Sequence, residues 1–127
     1  MPNAENHATV EEGSASYCKI SLVMTLSTDS DIRAEVWLPL TGWNGKYLAI
    51  GNGGWGGDIP SELIQTGLRR RYATSGTDDG HSGPSGRFVL GHPEKLIDFA
   101  YRAGREMVLK SKAIIRAYYD RQPRYSY

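Results

Sequence analysis

From Tyr17 onward, apolar and polar positions alternate. Cys18, Ile20, Leu22, Met24 and Leu26 recur at every second place, the period of a strand with one buried face. Thr28-Asp29-Ser30-Asp31 breaks the pattern and predicts a turn. Ile32, Ala34, Val36 and Leu38 then alternate against Arg33 and Glu35, and Pro39 closes this second strand. Two such strands joined by a short polar turn predict a hairpin. Asn44-Gly45 centres the next turn, and Tyr47-Leu48-Ala49-Ile50 reads as a third, more buried strand.

The period then changes. Over residues 59–68, Pro60 suits a first helical turn, and Leu63, Ile64 and Leu68 form one apolar side. Residues 72–76 are short and β-prone and predict a fourth strand, while residues 77–86 are loop. The clearest element is a helix over 93–119. Pro93 takes its first position, Glu94 suits its positive start, and Leu96, Ala100, Ala103, Met107, Ile114 and Tyr118 follow helical spacing. Pro123 stops it, and Tyr125-Ser126-Tyr127 opens another strand. Strands alternating with helices predict an α/β layered fold with a largely parallel sheet. Residues 1–16 read as a disordered lead-in and residues 17–127 as one domain.

Composition changes this picture at one point. Hydrophobic residues at 39% and charged residues at 23% are ordinary for a folded soluble chain, but the 15 glycines in 127 residues are not. Most fall between Gly42 and Gly91 and mark special backbone geometry. A net charge of +1 gives no electrostatic case for nucleic acid or a membrane surface. Arg69-Arg70-Arg71, without interleaved aromatics, reads as a solvated helix end. No apolar run approaches the roughly 20 residues of a membrane span, and residues 1–16 lack the pattern of a secretory signal. Cys18, the single cysteine, is either a buried thiol or half of a bridge to sequence outside this chain.

The candidate chemistry lies in Gly51-Asn52-Gly53-Gly54-Trp55-Gly56-Gly57-Asp58, directly after the third strand. Glycines there let backbone amides approach a ligand with no side chain in the way. Two such amides aimed at one point make an oxyanion hole for acyl transfer, and in α/β-hydrolases one comes from the loop after the third strand. Gly51 to Gly54 occupies that place, set against the commoner structural role of glycine turns. A dinucleotide fingerprint fails, because Asp58 and Pro60 follow at once and no acidic residue stands where the ribose would need it. Asp78, Asp79 and His81 form a close acid–histidine group. However, neither Ser82 nor Ser85 sits in G-x-S-x-G, so loop-shaping hydrogen bonds are the expected role. Asp78, Asp79, His81 and His92 lack metal-ligand spacing, and no metal or other cofactor is expected. Trp37 and Trp43 are expected to pack. Trp55, inside a glycine loop, is poorly placed for a core and is a candidate substrate-binding residue.

These residues fall into a familiar order. Pro39, Trp43-Asn44-Gly45-Lys46-Tyr47 and Gly51-Asn52-Gly53-Gly54 resemble the LP…WNG…GNGG block of the tannase and feruloyl esterase family. Ala73-Thr74-Ser75-Gly76-Thr77-Asp78-Asp79-Gly80-His81 is similar to its a.s.D.GH segment. His92-Pro93-Glu94-Lys95, Asp98-Phe99-Ala100-Tyr101-Arg102-Ala103, Lys112 and Ala117-Tyr118-Tyr119 resemble its following helix. Residues 123–127 resemble the strand before its GCS.GGR nucleophile turn. The resemblance implies a partial α/β-hydrolase sheet and a serine esterase acting on esters of aromatic acids such as ferulate or gallate. It places the first oxyanion amide at Gly53 or Gly54 and the catalytic serine, aspartate and histidine beyond Tyr127. It also implies a secreted or periplasmic location. On this reading the chain alone is inactive, and its apolar strand edge invites self-association. The alternative is a non-catalytic module that binds an aromatic ligand or partner through the glycine loop and Trp55.

Overall fold

The computed structural model describes residues 16–127 and, before them, the backbone of one strand. The strands β1 (Ala4–Thr9), β2 (Tyr17–Met24), β3 (Ile32–Pro39), β4 (Lys46–Ile50), β5 (Ala73–Thr77) and β6 (Tyr125–Ser126) form one sheet in the order β1-β2-β3-β5-β4-β6. The lead-in expected over residues 1–16 lies mostly outside the described residues, and its segment Ala4–Thr9 pairs antiparallel with β2. The β2–β3 hairpin has formed, in register from Met24 opposite Ile32 to Tyr17 opposite Pro39.

The sheet is mixed, where the strand–helix alternation predicted it largely parallel. β5 joins β3 antiparallel and β4 parallel, and β6 joins β4 parallel. The reason is a single insertion. A crossover through helix α1 (Ser61–Arg69) returns the chain between β3 and β4, so β5 welds an antiparallel half to a parallel one.

Each face of the sheet carries a helix. Ile20, Leu22, Met24, Ala34, Val36 and Leu38 point to the face covered by helix α3 (Ala103–Tyr119), which adds Ala103, Met107 and Ile115. Tyr17 and Trp37 point the other way, toward Ile64 and Leu68 of α1, and stack with ring centroids 4.7 Å apart. Arg69, Arg70 and Arg71 are exposed at and just beyond the end of α1. Cys18 is a half-buried free thiol, and Leu26 lies exposed past the end of β2. Among the described residues, no helix is long and apolar enough to cross a membrane.

β5 is polar in sequence yet buried throughout. Its hydroxyls are satisfied one by one: Ser75 hydrogen-bonds the Tyr47 phenol at 2.6 Å, and Thr77 donates to the Arg33 carbonyl at 2.9 Å. Helix α1 lies close over it because residue 67 is glycine. A Cβ there would stand 2.6 Å from Thr74 Oγ1. Alanine within a helix normally gains up to about 1 kcal/mol over glycine, but overpacking against a buried neighbour costs roughly 1–3 kcal/mol. The clash wins. Gly67→Ala is therefore expected to destabilise the chain by about 1 kcal/mol, and a raised urea midpoint would contradict this.

The long helix spans the expected residues but not as one regular helix. α2 (Pro93–Ile97) runs through a π turn (Asp98–Arg102) into α3 without a break. The buried positions are Asp98, Ala103, Met107, Ser111 and Ile115, a gap of five followed by gaps of four. The extra residue in the π turn rotates everything upstream by about 100°. Leu96 and Ala100, expected on the buried face, are consequently exposed. Tyr118 is exposed too, whereas Tyr119 stacks on Trp43 at 4.1 Å and donates its hydroxyl to the Pro39 carbonyl at 2.6 Å. Burial pushes the Tyr119 phenol above its ordinary value.

Candidate functional site: the glycine loop after β4

β4 and β5 are parallel neighbours, so the loops that leave them emerge at the same end of the sheet. In open α/β sheets, ligands collect at this carboxyl end. The loop after β4 is glycine-rich, and the loop after β5 carries Asp78, Asp79 and His81.

The two loops are zipped together. Asn52 Nδ2 donates to the Thr77 carbonyl at 2.8 Å and to Asp79 Oδ2 at 3.0 Å. Gly57 N–H donates to the Gly83 carbonyl at 2.8 Å, and a Cβ at Gly57 would run into the His81 carbonyl. The Asp58 carboxylate accepts from the Ser82 hydroxyl at 2.7 Å and from Gly83 N–H at 3.2 Å. These bonds, the hydroxyl first, hold Asp58 below its ordinary pKa. His81 Nε2 donates to the Trp55 carbonyl at 2.7 Å.

Asp78 and Asp79 have separate tasks. Asp78 Oδ1 accepts from Arg33 N–H at 3.0 Å and Gly80 N–H at 2.8 Å, tying the loop to β3. Burial raises both carboxyls above the ordinary range, against the hydrogen bonds that pull them down. Ser82 is engaged by Asp58, and the Ser85 hydroxyl accepts from Arg87 N–H at the start of a short 3-10 turn, Gly86–Val89. His92 pairs with Asp29 at 2.8 Å and lines the same cavity as Asp78 and His81. Among the described residues, no group of three or more His, Cys, Asp or Glu side chains is placed to hold a metal ion.

An aromatic cluster supports the zipper. Phe88 stacks on His81 at 3.7 Å, and Phe99 meets both His81 and Phe88 edge-on. Trp55 stacks on Phe99 at 5.0 Å and remains 47% exposed. A tryptophan in a glycine loop thus packs partly, against a residue delivered by the π turn. Asn52, Asp58 and Phe99 fall within motifs visible in the sequence, but their partners Asp79, Ser82 and Trp55 are distant along the chain and carry no local signal.

Gly53 and Gly54 lie at the outer part of this assembly. Gly56 N–H closes onto the Gly53 carbonyl at 2.9 Å, and Gly54 takes a φ of +56°. Among the described residues, neither Gly53 N–H nor Gly54 N–H has an acceptor, and a Cβ at either would meet nothing within 4 Å. An open cavity of about 630 Å³ lies nearby, lined by Asp58, Asp78, His81 and Phe88 among others, but not by these two glycines.

Comparison with known proteins adds the family. Residues 18–127 match the sequence model of the tannase and feruloyl esterase family. The chain belongs to that family. It is 39% identical over 121 residues to an uncharacterized esterase of Xanthomonas campestris pv. campestris, covering 94% of this chain and 21% of that protein. With feruloyl esterase B of Aspergillus niger the identity is 32% over 116 residues, 91% of this chain and 22% of the relative. The fold superposes on the crystal structure of feruloyl esterase B from Aspergillus oryzae with a TM-score of 0.86 and 30% identity, over 98% of this chain and 28% of that one. The 127 residues thus correspond to the amino-terminal portion of these tannase-family relatives.

Proposed function

We propose that this chain supplies the oxyanion-hole loop of a carboxylic ester hydrolase acting on esters of aromatic acids. The observation that carries this is the pair of unpartnered N–H groups at Gly53 and Gly54, beyond a β-strand end, with open space where side chains would be. Attack on an ester carbonyl puts charge on its oxygen, and preorganised backbone donors stabilise that charge. The chain spans 21–28% of its relatives' length. On this reading the nucleophile, its base and the substrate's grip lie outside these residues, and the chain alone does not turn over. The β6 edge, with Tyr125 and Tyr127 exposed, is where the sheet would grow, or pair with a second copy in isolation.

A chimera tests the proposal. Residues 18–127 would replace the matched stretch of the Aspergillus oryzae feruloyl esterase B. The expected result is saturable release of ferulate from methyl ferulate by the chimera, and none above blank by the isolated chain. A folded chimera without turnover, or an isolated chain with it, overturns the reading.

A further inference from the structure

We propose that His81 is a positioning residue for the glycine loop: its Nε2–H holds the Trp55 carbonyl and thereby fixes the direction of the Gly53 and Gly54 N–H groups. The inference rests on the oxyanion reading of that loop, but its test uses no turnover.

The one bond that Gly53 and Gly54 make among the described residues is the Gly53 carbonyl accepting from Gly56 N–H. Neither N–H is bonded among the described residues, and no atom stands within 4 Å of a Cβ at either position. Free glycines sample backbone space widely, so their orientation has to come from neighbours. The adjacent restraints are the Gly56-to-Gly53 closure at 2.9 Å and the Asn52 bonds to Thr77 and Asp79. On the downstream side, Trp55 is held twice. Its indole stacks on Phe99 with Gly86 close against it, and its carbonyl takes the His81 bond at 2.7 Å.

His81 is built for that task. A carbonyl only accepts, so Nε2 carries the proton. Nδ1 is buried without a partner. The opposite tautomer would bury a bare N–H and abandon the Trp55 bond, losing at both ends. Ring rotation is blocked as well, since Phe88 lies flat on the imidazole at 3.7 Å and 9° and Phe99 meets it edge-on. A ring locked in one tautomer and one orientation is a fixed donor. Its effect reaches the oxyanion site only through Trp55, so it positions and does not catalyse.

The test is a spectrum of the ¹⁵N-labelled chain and two variants. His81→Phe keeps a flat ring against Phe88 and deletes the donor; His81→Gln supplies a donor again. In the wild type, long-range ¹H–¹⁵N correlations should show the Nε2–H tautomer. His81→Phe should move the Gly53, Gly54 and Gly56 amide signals and speed Gly56 hydrogen exchange about three- to tenfold, with the Ser75 amide in β5 unchanged. His81→Gln should bring Gly56 exchange back to within about twofold of wild type. Unmoved glycine signals in His81→Phe overturn the proposal. So does an Nδ1–H tautomer in the wild type, which decides alone should the phenylalanine variant not fold. An inactive chimera would remove the oxyanion reading and leave these spectra as they are, so the two failures are distinguishable.

Discussion

Arg102→Met is expected to lower stability by about 3–5 kcal/mol, the cost of leaving a buried charge without its partner. Asp98 is wholly buried, with Oδ1 accepting from Arg102 Nε at 2.6 Å and Oδ2 unpaired. Arg102 is less dependent on the pair. Its Nη2 also reaches Glu94 Oε2 at 2.6 Å and Ser30 Oγ at 3.1 Å, and its side chain keeps 20% exposure. Removing the arginine strands a carboxylate inside the protein, whereas removing the carboxylate leaves an arginine with a partner and some water. Asp98→Asn should therefore cost clearly less than Arg102→Met. Removing both charges, as Asp98→Leu with Arg102→Met, should recover much of the loss, because an apolar pair avoids desolvation altogether. Urea denaturation at neutral pH reads all three. Equal losses for the two single variants would mean that the buried carboxylate does not dominate. The same network ties Ser30, in the β2–β3 turn, to the π turn that delivers Phe99 to Trp55. A fall in stability here should accordingly reach the glycine loop.

That π turn also marks where the sequence stops being legible. The hairpin, the third strand, the crossover and the limits of the long helix follow from local period and from prolines, which act over a few residues. The phase of the helix does not. Spacing predicts Leu96 and Ala100 on the buried face, and one extra residue in the turn exposes both while burying Asp98. Nothing in the apolar spacing announces it: the turn buries Asp98 beside Arg102, four residues on, and Arg102 reaches across the fold to Ser30. The sheet order is hidden for a similar reason. Residues 72–76 read as a strand, but their place between β3 and β4 depends on α1 crossing over and on Gly67 letting it lie close.

The site divides in the same way. The glycine loop and the acid–histidine loop are visible as compositions, and both leave one end of the sheet because β4 and β5 are parallel. The bonds between them span some 25 residues of chain and carry no local signature. A usable hint was available in the aromatics: the chain's two phenylalanines, Phe88 and Phe99, both lie against His81. The pairing of Trp55 with Phe99 likewise needs the fold, and it explains how an indole in a glycine loop is both stacked and half-exposed.

Gly53→Pro in the active chimera is expected to lower kcat by about 10²–10³-fold, the usual loss on removing one oxyanion donor, with KM little changed. Proline deletes the N–H, and it also fixes φ at about −65° and restricts the preceding Asn52. The space around a Cβ at Gly53 is empty, and its φ lies outside the left-handed region that Gly54 occupies at +56°. Gly53→Ala is the control, because it fills the same space and keeps the donor. Its kcat should stay within a fewfold of the parent. An interaction made only as charge develops lowers kcat and kcat/KM together, whereas a lost substrate contact raises KM alone. If the proline and alanine variants share one kcat, Gly53 is not in the hole and Gly54 is left as the candidate. If proline raises KM alone, the loop binds substrate without stabilising the transition state. A loss in kcat confined to proline would place the donor at Gly53 N–H, where the chain leaves an amide unpaired and room for a substrate oxygen beside it.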